Sequence, residues 1–151
     1  MKNTTLCYIE NGSKYLMMHR IKKKNDENHD KWIGVGGKFQ DGESPYDCIR
    51  REIAEEVGIS DYSLSYRGIV TFVSDIYGTE YMHLFTAKAK SQDVNKNCDE
   101  GELVWIDKSK VYQLPIWEGD KIFFRLLEKD AEFFSLKLIY EKDKLIGHVL
   151  E

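Results

Sequence analysis

The sequence predicts an α+β fold, a mixed β-sheet with two principal helices packed on it, and three observations carry that expectation. Short apolar, β-prone runs recur between turn signals along the whole chain. Residues 44–58 have the caps and the periodicity of an amphipathic helix, and residues 116–127 repeat apolar side chains at near-helical spacing. Helices of that kind bury their apolar stripe against a sheet, which gives a layered sandwich.

Taken in order, residues 4–9 and 15–19 flank Asn11 and Gly12, a dipeptide that tolerates positive φ and favours a tight hairpin. Residues 21–31 are polar and irregular, and the basic run Lys22, Lys23, Lys24 with the acidic residues after it reads as a solvated loop. Gly34, Gly36 and Gly37 then stand close together, where a backbone without Cβ can approach a ligand. In the first helix Ser44 is the N-cap, Pro45 suits the first helical position, Asp47 meets the positive end of the dipole, and Gly58 can end the helix in a left-handed conformation. Residues 64–74 and 80–89 are strands around a turn at Tyr77, Gly78 and Thr79, and residues 103–106 form a short strand. Pro115 stands before the second, C-terminal helix, and residues 133–140 and 145–150 alternate as a closing hairpin. No linker or internal repeat divides the chain, so one domain over residues 1–151 is expected.

A content of 42% hydrophobic, 13% aromatic and 32% charged residues describes a chain able to bury a core. The net charge of -4 gives no global electrostatic reason to expect a nucleic-acid polymer as partner, whereas a small anionic substrate held through a metal ion remains compatible. Cys7, Cys48 and Cys98 are widely spaced and form no C-x-x-C pair, so reduced thiols are expected rather than disulfides or a zinc site. No apolar run resembles a signal peptide or a membrane span, which leaves the cytoplasm as the expected compartment, without a membrane partner and as a monomer or homodimer.

The chemistry is carried by the first helix. Glu52, Glu55 and Glu56 are related as i, i+3 and i+4 and fall on one side, while Ile49, Ile53 and Val57 form the neighbouring apolar stripe. Three carboxylates gathered this way repel one another unless cations are present, and hard divalent cations with oxygen ligands are the natural solution. By itself an E-x-x-E-E pattern is more often a solvated helix face.

The context is more specific. Residues 37–59 match the Nudix box G-x5-E-x7-R-E-U-x-E-E-x-G-U without a gap, with Gly37, Glu43, Arg51, Glu52, Ile53, Glu55, Glu56, Gly58 and Ile59 at the fixed positions. The chain thus resembles the Nudix hydrolases, and the resemblance implies their α/β/α sandwich and hydrolysis of a nucleoside diphosphate linkage by water attack at phosphorus. It also implies magnesium, with manganese as the alternative, held by Glu52, Glu55, Glu56 and the backbone carbonyl near Gly36 or Gly37. Glu43 and Arg51 would brace loop against helix. The general base would be a box glutamate, Glu52 or Glu56, or a later carboxylate among Asp99, Glu100 and Glu102, of which Glu100 is favoured.

Beyond the box, residues 32–38 and 114–121 look similar to MutT-like 8-oxo-dGTP diphosphatases, which cleanse the nucleotide pool of oxidised purines and so protect DNA. That likeness makes Lys38, Phe72, Trp117 and Asp120 the candidate substrate contacts, Trp117 for stacking and Asp120 for hydrogen bonding. Two departures stand out: Ile33 occupies a position where a purine-cleansing relative has an amide, and Gly119 replaces a second acidic group. Hydrolysis of another nucleotide or of a sugar nucleotide, and a non-catalytic nucleotide-binding module, are the competing readings.

Overall fold

The chain opens with a hairpin, β1 (Lys2–Asn11) and β2 (Lys14–His19), paired antiparallel from Ile9↔Leu16 to Asn11↔Lys14. Gly12 sits at its turn with φ 60°. The computed structural model describes residues 1–21, 26–94 and 98–151; the basic run at 22–24 lies outside the described residues. After the two-residue strand β3 (Trp32–Ile33) come helix α1 (Pro45–Glu56), the long strands β4 (Tyr62–Ser74) and β5 (Gly78–Ala89), and β6 (Glu102–Asp107). A 3-10 helix (Lys108–Gln113), helix α2 (Asp120–Glu128) and the hairpin β7 (Phe134–Glu141) and β8 (Lys144–Leu150) complete the chain.

All strands join one mixed sheet in the order β3-β2-β1-β5-β4-β7-β8, with β6 on the other edge of β2. Two pairs are parallel: β1 with β5 from Lys2↔Glu80 to Glu10↔Lys88, and β4 with β7 from Gly68↔Phe134 to Ser74↔Tyr140. Parallel neighbours require long crossovers, and these crossovers carry the helices. Side-chain alternation along β1 then divides the core. Leu6 and Tyr8 join the cluster with Phe123, Phe124 and Leu127 of α2, whereas Cys7 and Ile9 join the one with Ile49, Ile53 and Val57, the apolar stripe of α1. That stripe is fully buried, which stabilises the docked helix by roughly 1.5–3 kcal/mol per side chain before entropy is counted.

Helix α1 begins and ends where its residues dictate. Ser44 Oγ accepts from the Asp47 N–H at 3.1 Å and Asp47 Oδ2 accepts from the Ser44 N–H at 3.0 Å, a reciprocal capping box. Gly58, at φ 76°, turns the chain away after Val57.

Helix α2 starts at Asp120, which corrects the expectation of a helix running from residue 116 behind Pro115. The preceding residues are held by strands instead: the Pro115 carbonyl accepts from Trp32 N–H at 2.9 Å, and Gly119 N–H donates to Tyr140 Oη at 2.7 Å. Only at Asp120 N–H, bonded to the Trp117 carbonyl at 3.0 Å, does the helical pattern take over. Cys7, Cys48 and Cys98 are buried and in no disulfide, and no helix among the described residues is long and apolar enough to cross a membrane.

Candidate active site

The glycine-rich segment after β3 occupies the stretch of β1 that β2 leaves uncovered. Val35 and Cys7 exchange backbone hydrogen bonds at 2.6 and 2.9 Å, Thr5 N–H donates to the Gly37 carbonyl at 2.9 Å, and Phe39 N–H donates to the Asn3 carbonyl at 3.2 Å. At Gly36 the approach is so close that a Cβ would overlap the Thr5 carbonyl oxygen, and a Cβ on Gly37 would overlap the Glu52 carboxylate. Glycine is therefore required twice: once for the segment to lie on β1 and once for Glu52 to lie on the segment. Gly36→Ala forces backbone apart, and about 1–3 kcal/mol of destabilisation, a fall of roughly 3–10 °C in the melting midpoint, is expected by calorimetry.

Arg51 ties this segment to α1. Its Nε and Nη2 donate to the two Glu43 carboxylate oxygens at 2.7 and 3.0 Å, Nη2 also donates to the Lys38 carbonyl at 3.0 Å, and Nη1 donates to Glu52 Oε1 at 2.8 Å. Glu43 in turn accepts from the Gln40 N–H at 2.7 Å. These contacts hold the Glu43 carboxyl below the usual carboxylate range.

The box glutamates have unequal surroundings. Glu52 and Glu56 are buried, at 9% and 8% exposure, whereas the Glu55 side chain is 58% exposed and reaches back to Arg51 at 3.3 Å. Burial first, then the hydrogen bond to Glu52 and the charge of Glu100, push the Glu56 carboxyl up to about 10. Glu56 Oε2 is buried without a hydrogen-bond partner. Among the described residues no three His, Cys, Asp or Glu side chains already converge as a metal site. The donor set nevertheless fits a divalent cation. Two buried carboxyls stand on one side of the helix, one Glu56 oxygen is orphaned, and Glu52 lies against a backbone segment kept bare of side chains. Of the two glycine carbonyls expected to help, that of Gly37 is committed to Thr5, while that of Gly36 accepts no hydrogen bond among the described residues.

A cavity of about 950 Å³ opens over this corner of the sheet. It is lined by Gly36, Gly37, Lys38, Arg51, Glu52 and Glu100 on one hand and by Ile33, Phe72, Trp117, Asp120 and Tyr140 on the other. Glu55 and Glu56 are not on its wall. The first group holds two separate sets of ion pairs, Arg51 with Glu52 and Glu100 with Arg20. Arg20, unforeseen in the sequence because nothing local marks it, donates to Glu100 at 3.1 Å and to Asp26 at 2.7 Å. Neighbouring Asp99 and Glu102 are exposed and do not line the cavity.

The second group is aromatic. Trp117 meets the ring of Tyr140 edge-on at 5.2 Å, and Tyr140 stacks on Phe72 at 5.5 Å. Lys31 Nζ lies 4.8 Å from the Trp117 ring centre. Asp120 is 4% exposed, and its burial, opposed by a backbone hydrogen bond from Trp117 and by the charge of Lys31, pushes its carboxyl up to about 8. Tyr140 was legible only as a strand residue, and its place here depends on the parallel pairing of β4 with β7.

The model of the NUDIX domain matches residues 2–127. The oxidized purine nucleoside triphosphate hydrolase of Danio rerio is 30% identical over 131 residues, covering 85% of this chain and 83% of that protein. The uncharacterized Nudix hydrolase YvcI of Bacillus subtilis is 31% identical over 126 residues, covering 80% of this chain and 75% of its own. The crystal structure of a MutT protein from Bacillus halodurans superposes with a TM-score of 0.86 at 26% identity, over 100% of this chain and 98% of that one.

Proposed function

Because the chain belongs to the Nudix family and is a hydrolase of the Nudix type, we propose that it is a magnesium-dependent nucleoside triphosphate pyrophosphohydrolase. Its preferred substrate would be 8-oxo-dGTP or a related oxidised purine nucleotide, and residues 1–151 would act as one unit that clears such nucleotides from the pool. The observation that carries this reading is a single cavity walled both by the box carboxylate Glu52 and by the aromatic and acidic group Trp117, Phe72 and Asp120. The likeness to an oxidized purine nucleoside triphosphate hydrolase supports the substrate class.

In this reading Glu52 and Glu56 hold the cation, with Glu55 and the Gly36 or Gly37 carbonyl as further ligands. When bound, the ion neutralises charge developing on the phosphoryl oxygens. Arg51 keeps Glu52 aimed at the glycine segment, and Lys38 at the rim draws the polyphosphate. Glu100, oriented by Arg20, is the carboxylate that takes the proton of the attacking water, with Glu52 or Glu56 as the alternative. Trp117 and Phe72 supply apolar surface for the base, and a protonated Asp120 can donate to it. The test is kcat/KM for 8-oxo-dGTP against dGTP, with the oxidised nucleotide expected to be preferred. Equal values leave the family activity standing and remove the oxidised-purine assignment.

A further inference from the structure

Ile33 lines the cavity beside Trp117 and Asp120, and its apolar side chain can neither donate to nor accept from a base edge. Another residue of the same wall has an amide in a fixed orientation. Trp117 Nε1–H donates to Asn28 Oδ1 at 2.7 Å. An indole N–H is only a donor, so the Asn28 amide can face it in one way, with oxygen toward the ring nitrogen and both Nδ2 hydrogens directed elsewhere. Asn28 is itself part of the cavity wall.

The amide is also held firmly. Asn28 N–H donates to Asp26 Oδ1 at 3.2 Å, the Asn28 carbonyl accepts from Lys31 N–H at 2.8 Å, and Arg20 Nε donates to Asp26 Oδ2 at 2.7 Å. The indole that fixes the oxygen is in turn packed against Tyr140 and covered by Lys31. A donor whose orientation is set before binding loses little entropy when it pairs.

We infer that Asn28 is a specificity-determining residue whose Nδ2 donates to a base carbonyl, so that the pocket selects 6-oxopurines over 6-aminopurines. The inference rests on the reading of the cavity as a nucleotide site and narrows its substrate class. Guanine presents an acceptor at position 6, where adenine presents a donor. Against guanine the Asn28 amide makes a hydrogen bond; against adenine two donors face each other in a half-buried wall and both go unpaired. Recognition by an oriented polar group discriminates in this way because the wrong partner leaves that group unsatisfied.

The test measures binding of dGMP and dAMP by calorimetry in the presence of chelator, where no phosphorus bond is cut. The wild-type chain is expected to bind dGMP more tightly by about five- to a hundredfold, the range for one unsatisfied partner. Asn28→Asp keeps an oxygen for the Trp117 N–H but replaces the donor by an acceptor, and is expected to bring the ratio to one or invert it. The ratio is read because the added negative charge weakens both affinities. Asn28→Ala, which removes the donor without adding charge, is expected to lose the ratio as well. A wild-type ratio near one, no binding of either nucleotide, or an unchanged ratio in both variants overturns the assignment. Since turnover plays no part, a chain that binds as expected yet hydrolyses no triphosphate would instead contradict the proposed activity.

Discussion

Glu56→Gln is expected to fold normally and to lower kcat by on the order of 10² to 10⁴, the range for loss of a positioned charge-stabilising or proton-transferring group. The Glu56 carboxyl is buried against Glu52, within the field of Glu100, and is protonated near neutral pH. Glutamine has the shape and the neutrality of that protonated acid, so the melting midpoint in chelator should be unchanged. A bound cation must displace the proton, whereas the amide has no negative charge to offer. Stabilisation by added magnesium, expected in the wild-type chain as a rise in the midpoint, should therefore be absent from the variant. For the same reason magnesium should stabilise the wild-type chain less as pH falls. Wild-type turnover in the variant, with the magnesium shift intact, would remove the helix as the metal site.

The second large effect is expected at Asp120. Its pKa of about 8, against an ordinary value near 4, means that the folded state holds a proton the unfolded chain has already lost. Stability from this group is fully present below about pH 4 and declines as pH rises toward 8. In the same window the side chain is a neutral acid that can donate as well as accept. Asp120→Ala is expected to erase most of the preference for 8-oxo-dGTP over dGTP while sparing magnesium-dependent hydrolysis of a poor substrate. Asp120→Asn, a neutral side chain with the same two functions, should keep more of the affinity at pH 7 and lose the rise in KM that is expected of the wild-type chain above pH 8. An unchanged nucleotide ratio in Asp120→Ala would remove Asp120 from base recognition.

Much of the framework was legible because it is local. Ser44, Pro45, Asp47 and Gly58 mark α1 by capping chemistry, and Asn11 with Gly12 marks the first hairpin. The false start of α2 has a tertiary cause: the periodicity of residues 116–119 is helical, but Trp32 and Tyr140 claim the backbone groups that a helix would use. Arg20, Asn28 and Tyr140 were not singled out as site residues because their roles depend on partners far along the chain: Glu100, Trp117 and Gly119. The spacing of Glu52, Glu55 and Glu56 placed three carboxylates on one side of a helix. It did not show that Glu55 would stay exposed beside Arg51 while Glu56 is buried and Glu52 is buried against Gly37.

The proposed activity is metal-dependent cleavage of a nucleoside triphosphate between its α and β phosphates. Product analysis by phosphorus NMR, with dGTP or 8-oxo-dGTP in magnesium and again in excess chelator, tests it most directly. The expected result is monophosphate and pyrophosphate with magnesium and no turnover in chelator. Diphosphate with inorganic phosphate as the products, or undiminished turnover in chelator, would contradict it.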